Sequence, residues 1–507
     1  MGLETGMVLK LKLVMKGKNL EEFMIQAASE CQNELAQKLS TFEPYSLFHI
    51  WRGFLLHVEE YINLGYELQG NDKNIVLNTK IEFSSLFGTN SLNNACDIVL
   101  QNFGKKIADR FLATTLMISC LFKSYSCHDI HVEPYPDNVK NAICYLQSRR
   151  LHYQTMLRLI PLYAKGEKTI DFKDVMNEFQ YHVDTCMVNM ITAYQRIVQA
   201  RCVKDFEAIV CKEGLRFNRD YFQLEGFYLN PIRLSIIDLI SYKCITAPSV
   251  CVKKTPKLYS IEELKSMISN DAIYYEKYKL GENSTYKSMI ALLDDITPYI
   301  KDDYSIEIGA SDFQQICNKH QDIKLYVDVK NYTDALNTII PFQKCGNIYY
   351  SNNFAILRYA EDVILSILNR SKKYQIDAGF IFEEKVTEVV EKYGFKRDRS
   401  LKRIARREFD VVCVKENCIY NFQCKNNYFD VTDIVFSNIS KTCKKNKSLE
   451  SYYIKELKKE INREHLLKEK IGLSRIKHFI ISRFPIYTDN PQIINFNQLE
   501  QALSKIK

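Results

Sequence analysis

The fold of the C-terminal part of the chain is decided by the stretch REFDVVCVKENCIYNFQCK, residues 407–425. Two runs rich in Val, Ile, Tyr and Phe flank the polar pair Glu416-Asn417, which predicts a β-hairpin with a two-residue turn. In that register Asp410 lies directly opposite Gln423, so their side chains share one face of the sheet. Lys425 shares this face because strand side chains alternate with a period of two. The hairpin therefore predicts a carboxylate, an amide and an ammonium side by side.

This set of side chains has the composition of a metal site with a lysine beside it. Hard cations such as Mg²⁺ or Mn²⁺ prefer oxygen ligands, which Asp410 and the amide carbonyl of Gln423 supply. Such an ion lowers the pKa of a bound water and stabilises negative charge on a phosphate, and we expect Lys425 to orient that water or help deprotonate it. If the hairpin stood alone, a solvated face of charged residues would be the commoner explanation.

The segment before the hairpin predicts an amphipathic helix over residues 379–394. Its apolar residues recur at positions 382, 386, 389, 390 and 393, and Gly394 ends the pattern. Glu383 borders the apolar stripe, so we expect it to overhang the sheet and reach the predicted metal site.

The order of these motifs resembles the PD-(D/E)XK nuclease superfamily. Gly-x-x-Phe-Glu on a helix (residues 379–383) is followed by Phe-Asp on one strand (409–410) and Gln-x-Lys on the next (423–425). The pattern is most similar to the restriction-endonuclease-like branch related to Mrr, in which Gln can replace the first acid of the Glu-x-Lys motif. The resemblance covers residues 371–507. It implies an α-β-β-β-α-β core with a mixed sheet and a metal-dependent phosphodiesterase.

Carried over residue by residue, the resemblance implies a role for each motif position. Glu383 would be the helix acid and a further candidate ligand, Asp410 the central metal ligand, Gln423 the variant ligand and Lys425 the catalytic lysine. The main-chain carbonyl of Cys424 is also a candidate metal ligand. Gln423 in place of an acid makes the site less negative, which implies a weaker hold on Mg²⁺.

The positive charge of the chain is concentrated in the same region. Residues 371–507 hold 28 Lys and Arg against 18 Asp and Glu, a net charge of +10, whereas residues 1–370 have a net charge of −2. Lys and Arg supply the sequence-independent part of nucleic-acid affinity. The candidates for contacts to phosphate are Arg403, Arg406, Arg407, Lys441, Lys444, Lys445 and Lys447.

The length of 507 residues predicts more than one domain. We predict a multidomain chain: a helical domain of unassigned role over residues 1–250, a mixed helical and strand subdomain over 251–370, and the α/β nuclease-like domain over 371–507. Apolar residues at helical spacing predict helices at 20–39, 45–64, 92–122, 139–163, 175–210, 261–279, 288–299 and 352–368. A strand is predicted at 323–327. Beyond the hairpin we predict a charged helix at 452–470, a buried strand at 477–485 and a closing helix at 497–506.

Two features of the N-terminal half compete for chemistry. Arg52 and His57 have the Arg-x4-His spacing that resembles the motif of helical HEPN ribonucleases, although Gly53 stands where that family usually has a polar residue. Such a ribonuclease would need no metal. The segment 127–133 contains Cys127, His128 and His131, but its neighbouring prolines favour a polar loop over a metal site.

These observations favour a Mg²⁺-dependent endonuclease that acts on nucleic acid, with DNA favoured over RNA and a role in restriction or anti-phage defence suggested by family analogy. The alternatives are an inactive nucleic-acid-binding or assembly module and the HEPN-like ribonuclease.

The 16 scattered cysteines include no Cys-x-x-Cys pair, which predicts reduced core residues rather than disulfides or zinc sites. No run of about 20 apolar residues occurs, so a cytoplasmic protein without a membrane partner is expected. A homo-oligomer or an accessory protein partner is left open.

Overall fold

A computed structural model describes residues 14–81, 90–127, 136–211, 214–219, 260–302, 304–426, 439–483 and 486–506. The chain divides into two compact units. One, which we call the sheet unit, comprises residues 1–30, 189–225 and 377–507. The other, the helical unit, comprises residues 31–188 and 226–376. Within the described residues, no helix is both long and apolar enough to cross a membrane.

Helices dominate the described part of the chain. In chain order they are α1 (Gly17–Ser40), α2 (Pro44–Glu67), α3 (Gly70–Asn78), α4 (Asn90–Phe103), α5 (Lys105–Cys127), α6 (Val139–Tyr163), α7 (Phe172–Asp174), α8 (Gln180–Cys202), α9 (Ile261–Tyr274), α10 (Ser284–Ile296), α11 (Ala310–Lys319), α12 (Tyr332–Asn337), α13 (Asn353–Asn369), α14 (Lys372–Lys392), α15 (Ile439–Asn462), α16 (Glu464–Ile471) and α17 (Leu499–Ser504). A π-helical turn, Val175–Phe179, joins α7 to α8.

The strands of the described residues are short. They are β1 (Val14–Lys16), β2 (Glu207–Cys211), β3 (Gly214–Phe217), β4 (Ser305–Gly309), β5 (Gln343–Cys345), β6 (Ile348–Asn352), β7 (Lys396–Arg397), β8 (Arg403–Ile404), β9 (Arg407–Glu408), β10 (Val411–Lys415), β11 (Cys418–Lys425), β12 (Ile476–Ser482) and β13 (Ile493–Asn495).

The helical unit is held together by aromatic packing between α2 and α6. Trp51 of α2 is fully buried, and its indole N–H donates a 2.7 Å hydrogen bond to the backbone carbonyl of Tyr153 on α6. The two rings also meet edge to face. Burial of side chains of this size supplies much of the apolar area that stabilises a helical core. The prediction of a mostly helical N-terminal region is therefore confirmed for residues 14–200.

Helix boundaries differ from prediction where the backbone needs a special conformation. The single helix predicted over 92–122 is two helices, because Gly104, at φ +82°, separates α4 from α5. The strand predicted at 323–327 is wrong: these residues have no regular secondary structure. The described sheet of the helical unit is instead formed by β4, β6 and β5, in that order.

The helix predicted over residues 175–210 ends earlier in the structure than in the prediction. Residues 175–210 carry apolar residues throughout, but α8 stops at Cys202 and residues 207–211 form β2. This strand pairs antiparallel with β1 and β3. A short apolar run such as Ala208-Ile209-Val210 fits a strand as well as a helix, so periodicity alone does not separate the two.

The centre of the sheet unit is a mixed sheet. Among the described residues it has five strands in the order β13-β12-β11-β10-β7. The pairs β10–β11 and β10–β7 are antiparallel, whereas β11–β12 and β12–β13 are parallel. The elements follow one another along the chain as α14, β7, β10, β11, α15 with α16, and β12, and a small hairpin of β8 and β9 lies before β10. The predicted α/β character of the C-terminal part is confirmed.

Helices cover both faces of this sheet. Phe382, Val386 and Val390 of α14 pack with Tyr420 and Phe422 of β11, and α17 adds Leu499 and Leu503 to the same core. On the opposite face, α16 packs on Ile419 through Leu467, and α15 packs on Ile480 through Tyr453 and Leu457. Because strand side chains alternate between the two faces of a sheet, and helices cover both faces here, β11 is buried on both sides.

The end of α14 follows the glycine pattern predicted from the sequence. Gly394 adopts φ +81°, and the Phe395 N–H bonds to the carbonyl of Val390 while the Gly394 N–H bonds to that of Glu391. This is the pairing of a Schellman cap, which satisfies carbonyls at a helix end. The helix begins earlier than predicted, at Lys372.

Candidate active site

The hairpin register places the predicted residues as the sequence indicates. Val411 pairs with Phe422 and Lys415 with Cys418, so Asp410 lies across from Gln423. Glu416 and Asn417 have φ of +50° and +56°. Positive φ at both central residues is the requirement of a type I′ turn, whose twist matches that of the flanking strands.

Asp410 is located immediately before the first paired residue of β10. Its Oδ2 accepts a 2.8 Å hydrogen bond from the backbone N–H of Cys424. Burial and, to a smaller extent, the nearby carboxyl of Glu383 raise the pKa of the Asp410 carboxyl to about 7. The Lys425 ammonium and the Cys424 N–H act in the opposite direction. Asp410 is thus a half-buried acid close to both a second acid and a cation.

Gln423 carries an unsatisfied buried acceptor. Its side chain is only 8% exposed, and no hydrogen-bond donor of the described residues reaches its Oε1. Leaving a buried polar atom without a partner costs about 1–3 kcal/mol. A buried acceptor oxygen without a donor, directly opposite a carboxylate, has the chemistry to bind a cation.

Lys425 is held by a residue from the long helix above the sheet. Its Nζ donates a 2.9 Å hydrogen bond to Oε2 of Glu456 on α15, and both side chains are nearly buried. Lys459 also donates to Glu456. Burial alone would raise the pKa of Glu456, but the hydrogen bonds and charges of these two lysines hold this pKa below its ordinary value. Lys425 therefore has a fixed position beside Asp410.

Glu383 lies on α14, and its carboxyl is close to that of Asp410. It is 8% exposed, and its Oε2 accepts a 2.9 Å hydrogen bond from Lys402. Burial raises the pKa of Glu383 above its ordinary value, although Lys402 opposes the rise. The carboxyls of Asp410 and Glu383 also raise the pKa of the Cys424 thiol, after the larger effect of burial. Glu383, Asp410, Cys424 and Lys425 are thus close in space.

Sequence reasoning missed the contribution of α15 and α16. The charged helix predicted over 452–470 is two helices, and one face of α15 packs on the sheet, where Glu456 and Glu460 lie. Glu460 is 2% exposed and accepts a 2.7 Å hydrogen bond from Asn421 Nδ2. His478, which has no partner in the sequence pattern, lies 3.2 Å from Glu464. The signal for these contacts is the polar stripe Asn421, Gln423, Lys425 on one face of β11.

The donor set determines which ion the site suits. The described residues contain no group of three or more His, Cys, Asp or Glu side chains that could hold a metal. The candidate ligands are instead the Asp410 carboxylate, the Gln423 amide oxygen and the Cys424 carbonyl, with Glu383 beside them. These are all oxygen donors, which suits Mg²⁺ or Mn²⁺ rather than a soft metal. The Gln423 Oε1, which has no donor among the described residues, and the two nearby acids Asp410 and Glu383 fit such a cation.

The predicted phosphate-contacting residues lie in two groups. Arg403, Arg406 and Arg407 are exposed on the β8–β9 hairpin, which leads directly through Phe409 to Asp410. Lys441, Lys444, Lys445 and Lys447 lie on the first turns of α15, and all but the half-buried Lys445 are exposed. The sequence of residues 430–439 predicts either a helix or an irregular crossover after the hairpin, and residues 430–438 of this segment lie outside the described residues.

Arg52 and His57 both lie on α2 but have different partners. Arg52 donates a 2.7 Å hydrogen bond to Glu307 and stacks over the Tyr350 ring. His57 contacts the Phe172 ring, and burial together with Arg110 lowers its pKa to about 4. Five residues at 100° each place the two side chains about 140° apart around the helix. The structure thus puts them in separate surroundings.

The cysteine predictions have a mixed outcome. The described cysteines are thiols rather than disulfides, and those that are buried are Cys186, Cys345, Cys413, Cys418 and Cys443. The other described cysteines are half-buried or exposed, so the expectation that most are core residues is wrong for this part of the chain. Of the segment 127–133, residues 128–133 lie outside the described residues.

A comparison of the chain with protein-family models, with curated proteins and with solved structures finds no match.

Proposed function

We propose that the sheet unit is a metal-dependent nuclease that hydrolyses phosphodiester bonds, with the restriction-endonuclease-like core that its motifs resemble. The observation that carries the proposal is the position of Asp410 opposite Gln423, whose Oε1 has no donor among the described residues, with Lys425 beside them. The element order α14, β7, β10, β11, α15, β12 supports it, because it follows the α-β-β-β-α-β order of that core.

Asp410, Gln423 and the Cys424 carbonyl would hold the ion, with Glu383 as an additional ligand. A bound Mg²⁺ or Mn²⁺ would supply Lewis acidity and activate water. The Cys424 N–H fixes one oxygen of Asp410, which leaves Oδ1 without a hydrogen-bond donor among the described residues. Burial raises the pKa of both Asp410 and Glu383, and the Glu383 carboxyl adds to the rise at Asp410, so a bound cation would favour the charged form of both acids.

Lys425 would act as the electrostatic group beside the scissile phosphate. Its ammonium is positioned by Glu456, so it needs little reorganisation to stabilise developing negative charge. The exposed arginines of the β8–β9 hairpin would bind the backbone phosphates next to the site. DNA is the proposed substrate because the branch that the motifs resemble mainly cuts DNA; a role in restriction or defence rests on that analogy alone.

A second candidate is an inactive nucleic-acid-binding module. It is favoured by one observation: Lys425 is engaged in an ion pair with Glu456, as in a purely structural salt bridge. Under this alternative the basic surface remains, and the loss of an acid at position 423 reflects loss of metal binding.

A cleavage assay separates these functions. Supercoiled, linear and single-stranded DNA and RNA are incubated with wild type, Asp410→Asn and His57→Ala in Mg²⁺, Mn²⁺ or EDTA. Asn is isosteric and still accepts from the Cys424 N–H, so Asp410→Asn changes charge rather than shape. We expect metal-dependent cleavage that Asp410→Asn abolishes and His57→Ala retains. Cleavage in EDTA that Asp410→Asn leaves intact would refute the proposal and favour an RNase using Arg52 and His57. DNA binding without cleavage would favour the inactive module.

A further inference from the structure

The helical unit contains a cavity that the proposed nuclease site does not use. Its volume is about 190 Å³, and it lies between the last turns of α6 and the segments 326–329 and 340–344. Since a cavity of only about 10–15 Å³ already holds one ordered water, this space admits a small organic molecule.

The cavity wall includes a buried cation without a counter-charge. Arg158 of α6 is 9% exposed, and its guanidinium donates 3.0 Å hydrogen bonds to the backbone carbonyls of Ala335 and Ile340. Its Nε is buried and has no hydrogen-bond partner among the described residues. No described carboxylate forms an ion pair with Arg158. Burial, together with the nearby cation Arg358, lowers the pKa of Arg158 to about 9.

The same wall includes a buried acceptor without a donor. Gln343 is 2% exposed, and its Nε2 donates to the carbonyl of Pro341. No donor of the described residues reaches its Oε1. Buried charges and polar atoms are normally paired, so an unpaired donor and an unpaired acceptor on one cavity wall indicate a ligand that satisfies both.

The remaining lining sets the character of that ligand. Phe342 and Leu157 provide apolar surface. At the exposed rim, Asp328 accepts a 2.6 Å hydrogen bond from the Tyr326 hydroxyl. The lining carries two cations, Arg158 and Lys344, against one acid, Asp328, so its net positive charge favours an anion whose charge is directed toward Arg158.

We propose that this cavity binds a small organic anion, a carboxylate or a phosphate ester, that carries an N–H or O–H donor and an apolar or aromatic body. The Arg158 guanidinium binds the anionic group, for which its planar fork is suited. Gln343 Oε1 accepts the donor, and the apolar lining covers the body. This proposal does not depend on the nuclease proposal.

Calorimetric titration of the full-length protein tests it with two matched pairs of probes. 4-Hydroxybenzoate and adenosine 5′-monophosphate carry the carboxylate and the phosphate, and 4-hydroxybenzamide and adenosine are their neutral counterparts. The variants are Arg158→Met, Leu162→Trp, which fills the cavity without altering Arg158, and Lys324→Met, an exposed control outside the lining.

We expect at least one anion to bind at millimolar concentration or below, and its neutral counterpart to bind about tenfold more weakly or worse. Arg158→Met and Leu162→Trp should each weaken anion binding about tenfold or more, and Lys324→Met should leave it unchanged. Which anion binds distinguishes a carboxylate from a phosphate ligand. If circular dichroism shows that Arg158→Met is unfolded, Leu162→Trp decides the result. Failure of both anions to bind, equal binding of the neutral probes, or binding that survives the deciding variants would overturn the proposal.

Discussion

At position 423 an amide stands where the Glu-x-Lys pattern has an acid, and its oxygen is buried without a donor among the described residues. An amide oxygen can bind a cation, but it contributes no charge to hold it. A cation at the proposed site would therefore rely on Asp410 and Glu383 for negative charge. This predicts a metal affinity that is limited by residue 423.

Gln423→Glu should make folding more dependent on Mg²⁺. In EDTA the added carboxylate repels Asp410 and lowers the melting temperature, whereas Mg²⁺ should stabilise the variant more than wild type. A tenfold gain in affinity corresponds to about 1.4 kcal/mol of extra stabilisation when the ion is in excess. Thermal unfolding with and without Mg²⁺ measures this, with the exposed Gln501→Glu as a control of equal charge. Equal Mg²⁺ shifts in all three proteins would contradict a metal site at residue 423.

His57 predicts a pH dependence of stability in the helical unit. Burial and Arg110 lower its pKa to about 4, so between about pH 6.5 and 4 the unfolded chain binds a proton that the folded chain does not. Folding stability from this group is present above that range and is lost as the pH falls, by about 2–3 kcal/mol. Chemical denaturation should show a smaller acid-induced loss in His57→Gln than in wild type. The exposed His465→Gln serves as control, and an unchanged loss in His57→Gln would contradict the assignment.

At the level of elements, the hairpin of β10 and β11 is predictable from sequence down to its register. The polar pair at the turn and the apolar alternation on both sides are local signals, and they fix which residues are opposite one another. The pairing of Lys425 with Glu456 is not predictable in the same way. It depends on which face of α15 packs on the sheet, and the two residues are 31 positions apart. The strands β7, β8 and β9, of two residues each, are too short to leave a periodic pattern.

The β8–β9 hairpin is the element that we expect to contact nucleic acid most directly. Replacing Arg403, Arg406 and Arg407 with Gln should weaken DNA binding and reduce the slope of log affinity against log salt by up to about 2.7, or about 0.9 for each phosphate that the protein no longer neutralises. Fluorescence anisotropy at several salt concentrations measures this slope. The control replaces Lys105, Lys106 and Lys123, exposed on α5, with Gln and has the same change in net charge. An equal reduction of the slope in both triple variants would indicate general charge attraction instead.

At the scale of the whole molecule, each compact unit combines segments that are far apart in the sequence. A division of the chain into consecutive domains cannot describe such units. Residues 1–30 and 189–225 cluster with 377–507, and the predicted boundary near residue 370 lies close to the unit boundary at 376–377. Contacts between segments far apart in sequence decide such grouping. One example is the ion pair of Arg201 with Glu21, both in the sheet unit. Composition and linker signals report only local breaks in the chain.

The most direct test of the nuclease account is the single-turnover rate of Mg²⁺-dependent DNA cleavage by Lys425→Met compared with Lys477→Met. Both variants remove a lysine from neighbouring strands of one sheet, but Lys477 is exposed and lies outside the proposed site. We predict that Lys425→Met lowers the rate about 100-fold or more, since electrostatic groups at the reacting centre contribute on that order, and that Lys477→Met cleaves like wild type. Wild-type rates in a folded Lys425→Met protein would contradict the account.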